Sequence, residues 1–167
     1  KGILKEKRWN GFGNLNFKHT IDSTGKELTM DVDYGRFNSK VKQHIVTEQF
    51  AFAAPPPPGF ILNTDQQGLI QVKSVKADYV QPMKKDAKLE AGIKSSIVET
   101  DNDIQFFNEI NGVNELDLNL SNHFIYKENI NGAYVIYGNK RRKFSWQAGV
   151  RAEHTDVNTI LRETSEE

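Results

Sequence analysis

In the stretch KFSWQAGVRAEHT (residues 143–155), Phe144, Trp146, Ala148, Val150 and Ala152 alternate with Ser145, Gln147, Gly149, Arg151 and Glu153. Successive side chains of a strand point to opposite faces, so the pattern predicts a ribbon with one apolar and one polar side. The same period recurs upstream. Leu28, Met30, Val32 and Tyr34 alternate with Thr29, Asp31 and Asp33; Leu89, Ala91, Ile93 and Ile97 alternate with Lys88, Glu90, Gly92 and Lys94. Six segments of this kind fall into three hairpins: residues 14–21 with 27–34, 69–79 with 87–97, and 124–137 with 143–155. The reversals DSTGKE, QPMKKD and GNKRR carry the Gly, Asn, Asp and Pro residues that favour turns. Helical spacing competes in none of these windows. The predicted fold is all-β, an antiparallel up-and-down meander of six strands.

Connection lengths divide the chain differently. Within hairpins the turns are short, whereas residues 35–68 and 98–123 read as long loops. Short turns at one end and long loops at the other are the habit of a transmembrane β-barrel, although a two-sheet sandwich also mixes loop lengths. Tyr79, Tyr137, Phe144 and Trp146 flank the short turns, as an interfacial girdle or as aromatics at the ends of ordinary core strands. His19 interrupts the series Leu15, Phe17, Ile21. The third strand changes phase near Lys73 and Ser74, which reads as a bulge or as strand above a membrane. Residues 133–137 are apolar in both phases, so the pattern leaves their outer face unassigned. Residues 1–13 and 156–167 read as flanking segments.

Composition removes several functions. Lys plus Arg and Asp plus Glu both total 22, and no basic face emerges, so nucleic acid is not an expected partner. Lys84, Lys85, Lys140, Arg141, Arg142 and Lys143 sit in or beside turns and read as solvated charges. There is no cysteine, hence no disulfide, thiolate metal site or cysteine nucleophile. No apolar run approaches the roughly 20 residues of a membrane-spanning helix, a test that is silent about barrels. The N-terminal KGILKEKRWN lacks the shape of a signal peptide, so an exported protein would have been processed, or the chain is a piece of a longer one.

His19, His44, His123 and His154 show no paired ligand spacing, and Asp101 and Asp103 in ETDND lack the glycine and distal glutamate of a calcium loop. No nucleophile elbow or phosphate loop is present, so the expectation is a protein without catalytic activity, cofactor or metal. APPPPG, residues 54–59, reads as a stiff loop spacer.

Four stretches carry a resemblance: NLNFKHTIDSTGKEL, ADYVQPMKKDAKLEAGIK, FIYKENINGAYVIY and FSWQAGVRAEHT. In order and spacing they resemble hairpins in the barrel of TonB-dependent outer-membrane receptors, in the Bacteroidetes-type branch, over roughly residues 14–155. The resemblance implies a Gram-negative outer membrane, a barrel of about 22 strands, an internal plug domain and uptake driven through TonB. Nothing in this chain resembles the plug or a TonB-contacting segment, so the resemblance is to a portion of barrel wall.

On that reading Leu28, Met30, Val32, Tyr34, Tyr79, Leu89, Ala91, Ile93, Phe144, Trp146, Ala148 and Val150 face membrane lipid. Glu90, Lys94, Gln147, Arg151 and Glu153 face the lumen, with charges paired across strands. The ligand-binding residues and the substrate are not named by the pattern. A soluble β-sandwich or small-barrel binding module, or an adhesin-like surface protein, would use the same alternation with water on the polar side. Alone in water, the apolar face and the two open edges would need cover, by closure of a small sheet or by self-association.

Overall fold

The computed structural model describes residues 1–48, 59–110 and 112–162. They form β1 (Gly2–Thr20), β2 (Glu27–Thr47), β3 (Phe60–Met83), β4 (Ala87–Ile110), β5 (Val113–Leu116), β6 (Asn122–Arg141) and β7 (Phe144–Arg162). All pairings are antiparallel in a single sheet of order β1-β2-β3-β4-β6-β7, with the short β5 folded back on the end of β4. The predicted meander is therefore present, with seven strands rather than six.

The strands run much further than the alternation suggested. β2 continues to Thr47 and β3 begins at Phe60, so most of the long loop expected over residues 35–68 is strand. Likewise β4 continues to Ile110 and β5 adds a further pairing, so the loop expected over residues 98–123 shrinks to two short links around β5. The link after β5 is a local turn: Asp117 Oδ1 accepts the backbone N–H groups of Asn119 and Leu120 at 3.0 and 3.2 Å, a polar side chain standing in for a strand partner. Residues 1–13 are not a flanking segment, because β1 starts at Gly2; β7 runs through residues 156–162. The proline stretch, residues 54–58, lies outside the described residues.

No ladder slips. Tyr34 pairs with Lys73 and Asp33 with Ser74 in unbroken succession, so the phase change there is no bulge. At the turns the backbone takes the conformations that close hairpins. Lys85 and Asp86 have φ of 63° and 57°, and Arg142, first of the two residues joining β6 to β7, has φ 55°. In the β1–β2 turn the Asp22 carboxylate gathers the Thr24 hydroxyl, the Thr24 N–H at 2.9 Å and the Lys26 ammonium at 3.1 Å. Led by the Thr24 hydroxyl, these donors pull the Asp22 pKa down to about 2.

One sheet cannot make a core with itself. Ala87 is the only hydrophobic residue buried among the described residues, against many large exposed ones. A domain normally buries its apolar faces between two layers, and a second layer is what the sandwich reading required. β1 and β7 do not pair with each other, so the sheet stays open; of the two expected forms of cover, closure or self-association, closure into a small barrel is not seen.

Candidate functional site

Side chains paired across a ladder share a face, so the registers assign every strand position. One continuous row joins His19, Leu28, Tyr79, Ala91, Val135 and Val150 across β1, β2, β3, β4, β6 and β7. The next row towards the strands' other end joins Phe17, Met30, Ala77, Ile93, Ala133 and Ala152. Following such rows puts Leu28, Met30, Val32, Tyr34, Tyr79, Leu89, Ala91, Ile93, Phe144, Trp146, Ala148 and Val150 on a single face. Glu90, Lys94, Gln147, Arg151 and Glu153 all fall on the other. The stretch that sequence left unassigned also resolves: Ala133, Val135 and Tyr137 join the apolar face, Tyr134 and Ile136 the polar one. His19 lies on the apolar face with its ring stacked on Phe17, 6.3 Å between centroids. At the turn end Tyr137 and Trp146 pack at 5.6 Å with planes tilted by 53°.

The two faces differ in cover as well as in chemistry. Ser74 and Ser96, paired directly across β3 and β4, are 8% and 9% exposed on the polar face. On the opposite face Ile93, in an internal strand, is 64% exposed. An internal-strand isoleucine left open implies a medium that accepts it.

The polar face is a bonded wall. Asn14 Nδ2 donates to Asp33 Oδ1 and Asn16 Nδ2 to Asp31 Oδ1, both at 2.6 Å, and the Ser74 hydroxyl donates to Asp33 Oδ2 at 2.8 Å. Asp33 thus ties β1, β2 and β3 together. Lys18 meets Glu27 at 2.8 Å and Lys76 meets Asp78 at 2.5 Å. The Tyr134 hydroxyl donates to Asp78 Oδ1 at 2.6 Å, reaching from β6 over β4 to β3. It can do so because Gly92 lies beneath: a β-carbon there would collide with the Tyr134 ring and the Asp78 carboxylate.

The charge pairs predicted across strands form largely within them. Arg151 binds Glu153 through Nη2 at 2.5 Å and Nε at 3.1 Å, and Lys88 binds Glu90, each two residues apart on one face. Asn14, Asn16, Asp31, Asp33, Lys76, Asp78 and Tyr134 belong to this wall and were not singled out by sequence. The available signal was phase for all but Tyr134, since each of the others falls in the polar series of its strand, whereas the stretch around Tyr134 is apolar in both phases.

Beyond these rows, towards the ends opposite the short turns, the chemistry of the faces reverses. The formerly apolar face carries Arg36, Gln71, Glu99, Lys127 and Asn158 in one row. The opposite side of the sheet carries Phe12, Val72, Val98 and Val157 in one row and Phe37, Ile70 and Tyr126 in the next. Asp101 and Asp103 sit in β4 rather than in an acidic loop; Asp101 Oδ1 is 2.7 Å from His123 Nε2, and Asp103 accepts Gln105 Nε2 at 3.4 Å. His44 Nδ1 lies 2.6 Å from Asn63 Oδ1, and His154 Nδ1 3.2 Å from Asp156. The four histidines are therefore scattered, and among the described residues no group of three or more His, Cys, Asp or Glu could hold a metal ion.

A single open sheet with one uncovered apolar side and one hydrogen-bonded polar side lacks the second layer that a sandwich would supply. Comparison with protein families agrees: residues 19–167 match the outer membrane protein beta-barrel family. The chain belongs to that family. Family membership locates the protein in the outer membrane, where strands cross rather than helices; no helix in the described residues is long and apolar enough to do so. The search of curated proteins returns no match. Among solved structures, a chain in the structure of the RagAB peptide transporter is similar at 10% identity and TM-score 0.49. The match covers 96% of this chain and 20% of that one, so the chain spans a fifth of that protein's length.

Proposed function

We propose that this chain is part of the barrel wall of a TonB-dependent outer-membrane receptor, which takes up a substrate without catalysing a reaction. Its apolar face meets lipid, its polar face the lumen. The four stretches that resemble such receptors support the assignment, and through it a plug domain elsewhere in the protein and TonB as the energy-transducing partner. An open sheet supports the remaining strands: a barrel crosses lipid only when every edge is paired, and β1 and β7 each lack a partner on one side.

One observation carries the lipid reading. The apolar window does not follow the ladder rows but drifts across them. In β7 it is centred on Ala148, whose row runs through Tyr137 and Leu89 to Gln81 and reaches β2 just before Glu27. In β2 the window is centred near Asp31, between Met30 and Val32, about five residues further along. That is a slide of about 17 Å along the strand over four strand spacings of about 4.8 Å, a tilt of about 40°. Membrane barrels tilt their strands by about 35–45°, so a band level with the membrane cuts their rows at this angle. A flat-packed sheet has no reason for such a drift.

The test uses the intact barrel in bilayers of brominated phosphatidylcholine with Trp9→Phe, so that within this stretch Trp146 reports. Fluorescence from Trp146 should be quenched by bromine and spared by aqueous acrylamide. The reverse result would turn Trp146 to the lumen and overturn the face assignment. For receptor identity, the parent open reading frame should encode a plug domain upstream of these strands; a barrel of few strands lacking one would end the TonB reading.

A further inference from the structure

Ile93 lies in an internal strand, yet at 64% it is the most exposed large hydrophobic residue of β2, β3, β4 and β6. The register gives the reason. Its ladder partners are Ala77 on β3 and Ala133 on β6, and its neighbours along the apolar face of β4 are Ala91 and Ser95. A branched side chain is thus ringed by four short ones, a knob inside a moat. The moat continues past Ala133 to Ala152 on β7, and a depression of about 560 Å³ with an almost wholly apolar lining lies over this stretch. Lys94 and Glu153 also line it, but their ladder positions put their side chains on the polar face. One ladder pair further from the turns, Ser95 and Asn131 face each other, and the Ser95 hydroxyl donates to Asn131 Oδ1 at 2.7 Å. Asn131 Nδ2 donates in turn to Asn129 Oδ1 at 3.2 Å.

We infer that this patch is the contact between two copies of the intact barrel, side by side in one membrane about a two-fold axis along the membrane normal. The inference rests on the lipid-facing reading above. In a two-fold contact the same patch serves on both copies, so the surface must complement itself. This one does so twice. With the axis between β4 and β6, Ile93 of each copy stands over Ala133 of the other, knob into moat. Ser95 of each copy likewise meets Asn131 of the other, donor to acceptor. A moat that encloses a knob suits a lipid tail poorly, because a tail needs an open furrow along its length. Lipid is as apolar as the wall, so pairing there is favoured by close packing over small residues and by polar contacts. The area is sufficient. β3, β4, β6 and β7 make a face about 20 Å wide and the apolar band is about 25 Å tall, giving about 500 Å² on each copy. The total of about 1,000 Å² is the size at which a specific interface begins.

Intact barrels carrying donor or acceptor dyes, reconstituted together in phosphatidylcholine vesicles, should show energy transfer that rises with the ratio of protein to lipid. Ile93→Ala removes the knob and should weaken association at least about tenfold. Ala133→Phe fills the moat and should do the same, whereas Val32→Ala, a truncation on the same face outside the patch, should leave association unchanged. Heat-modified gel migration reports folding of each variant. In otherwise cysteine-free barrels, oxidising a mixture of Ile93→Cys and Ala133→Cys should link the two, and a mixture of Ile93→Cys and Val32→Cys should stay unlinked. Absence of energy transfer at every ratio, full association of the folded Ile93→Ala variant, or no link between Ile93→Cys and Ala133→Cys would each overturn the inference and leave the face to lipid or to a different protein. If Trp146, measured at high lipid dilution, is quenched by brominated lipid while the barrels stay apart, the pairing alone is lost. If Trp146 is not quenched there, the face assignment falls and takes the pairing with it.

Discussion

The turn-proximal and turn-distal halves of this sheet use the same strands, the same unbroken ladders and opposite chemistry. Near the turns, Met30, Ile93 and Val150 face one way, while Asp33, Asp78 and Arg151 face the other. Further along, Arg36 and Lys127 occupy the first side and Phe37, Ile70 and Val98 the second. Backbone pairing is indifferent to which side is apolar; what the side chains answer to is the medium at each level. On the lipid-facing reading proposed above, the reversal is a boundary written in side chains, and it explains why alternation can persist while its meaning changes.

Introducing a charge on the outward side should separate the halves most clearly. Ile93→Arg should destabilise the intact barrel in lipid vesicles by about 2–4 kcal/mol if it sits near the bilayer midplane. Gln71→Arg, on the same side in the distal half, should stay within about 0.5 kcal/mol. Urea titrations of the two variants decide; equal effects would erase the boundary.

The polar wall gives the next largest effect. Gly92→Ala forces Tyr134 away from Asp78, an overpacking that should cost about 1–3 kcal/mol. Combining it with Tyr134→Ala should cost less than the sum of the two single changes, since the collision is removed once. Strict additivity would mean that Tyr134 does not lie over Gly92.

This outcome was only partly legible in the sequence. The turn-proximal halves of the hairpins were readable because period-two alternation there coincides with turn residues at DSTGKE and QPMKKD. The distal halves were not, because Tyr34, Gly35 and Arg36 switch the apolar series from even to odd positions, and a switch of phase resembles the end of a strand. Over residues 36–47 the odd series keeps Phe37, Val41 and Ile45 but is broken by Ser39 and Gln43, so the alternation there is weaker. Asp33 and Asp78 stood in the polar series, but their partners Asn14, Ser74 and Tyr134 come from other strands, which only the register brings together.

Two smaller effects lie at the turns, outside the boundary itself. Arg142→Gly should stabilise the β6–β7 hairpin by about 1 kcal/mol, because φ of 55° strains a residue with a β-carbon. Equilibrium unfolding measures it, and a loss of stability would contradict the turn geometry. In the β1–β2 turn, Asp22 has a folded pKa near 2 against an ordinary 3.8. Its contribution is fully present above the ordinary value and is lost as pH falls through about 2. The carbon-13 shift of its carboxyl should titrate near 2 and move up towards the ordinary value in Thr24→Ala, which removes the leading donor but keeps the residue 24 backbone N–H and Lys26.

The unbroken ladders also govern which changes in length a lineage can accept. Deleting one residue inside β4 would send every side chain beyond the cut to the opposite side, Ile97 inward and Ser96 outward, unless the pairing itself broke. Deleting two would preserve sidedness but slide the apolar window by about 7 Å relative to its neighbours. Point substitutions in these strands are graded injuries; a single-residue deletion is a change of reading frame in three dimensions.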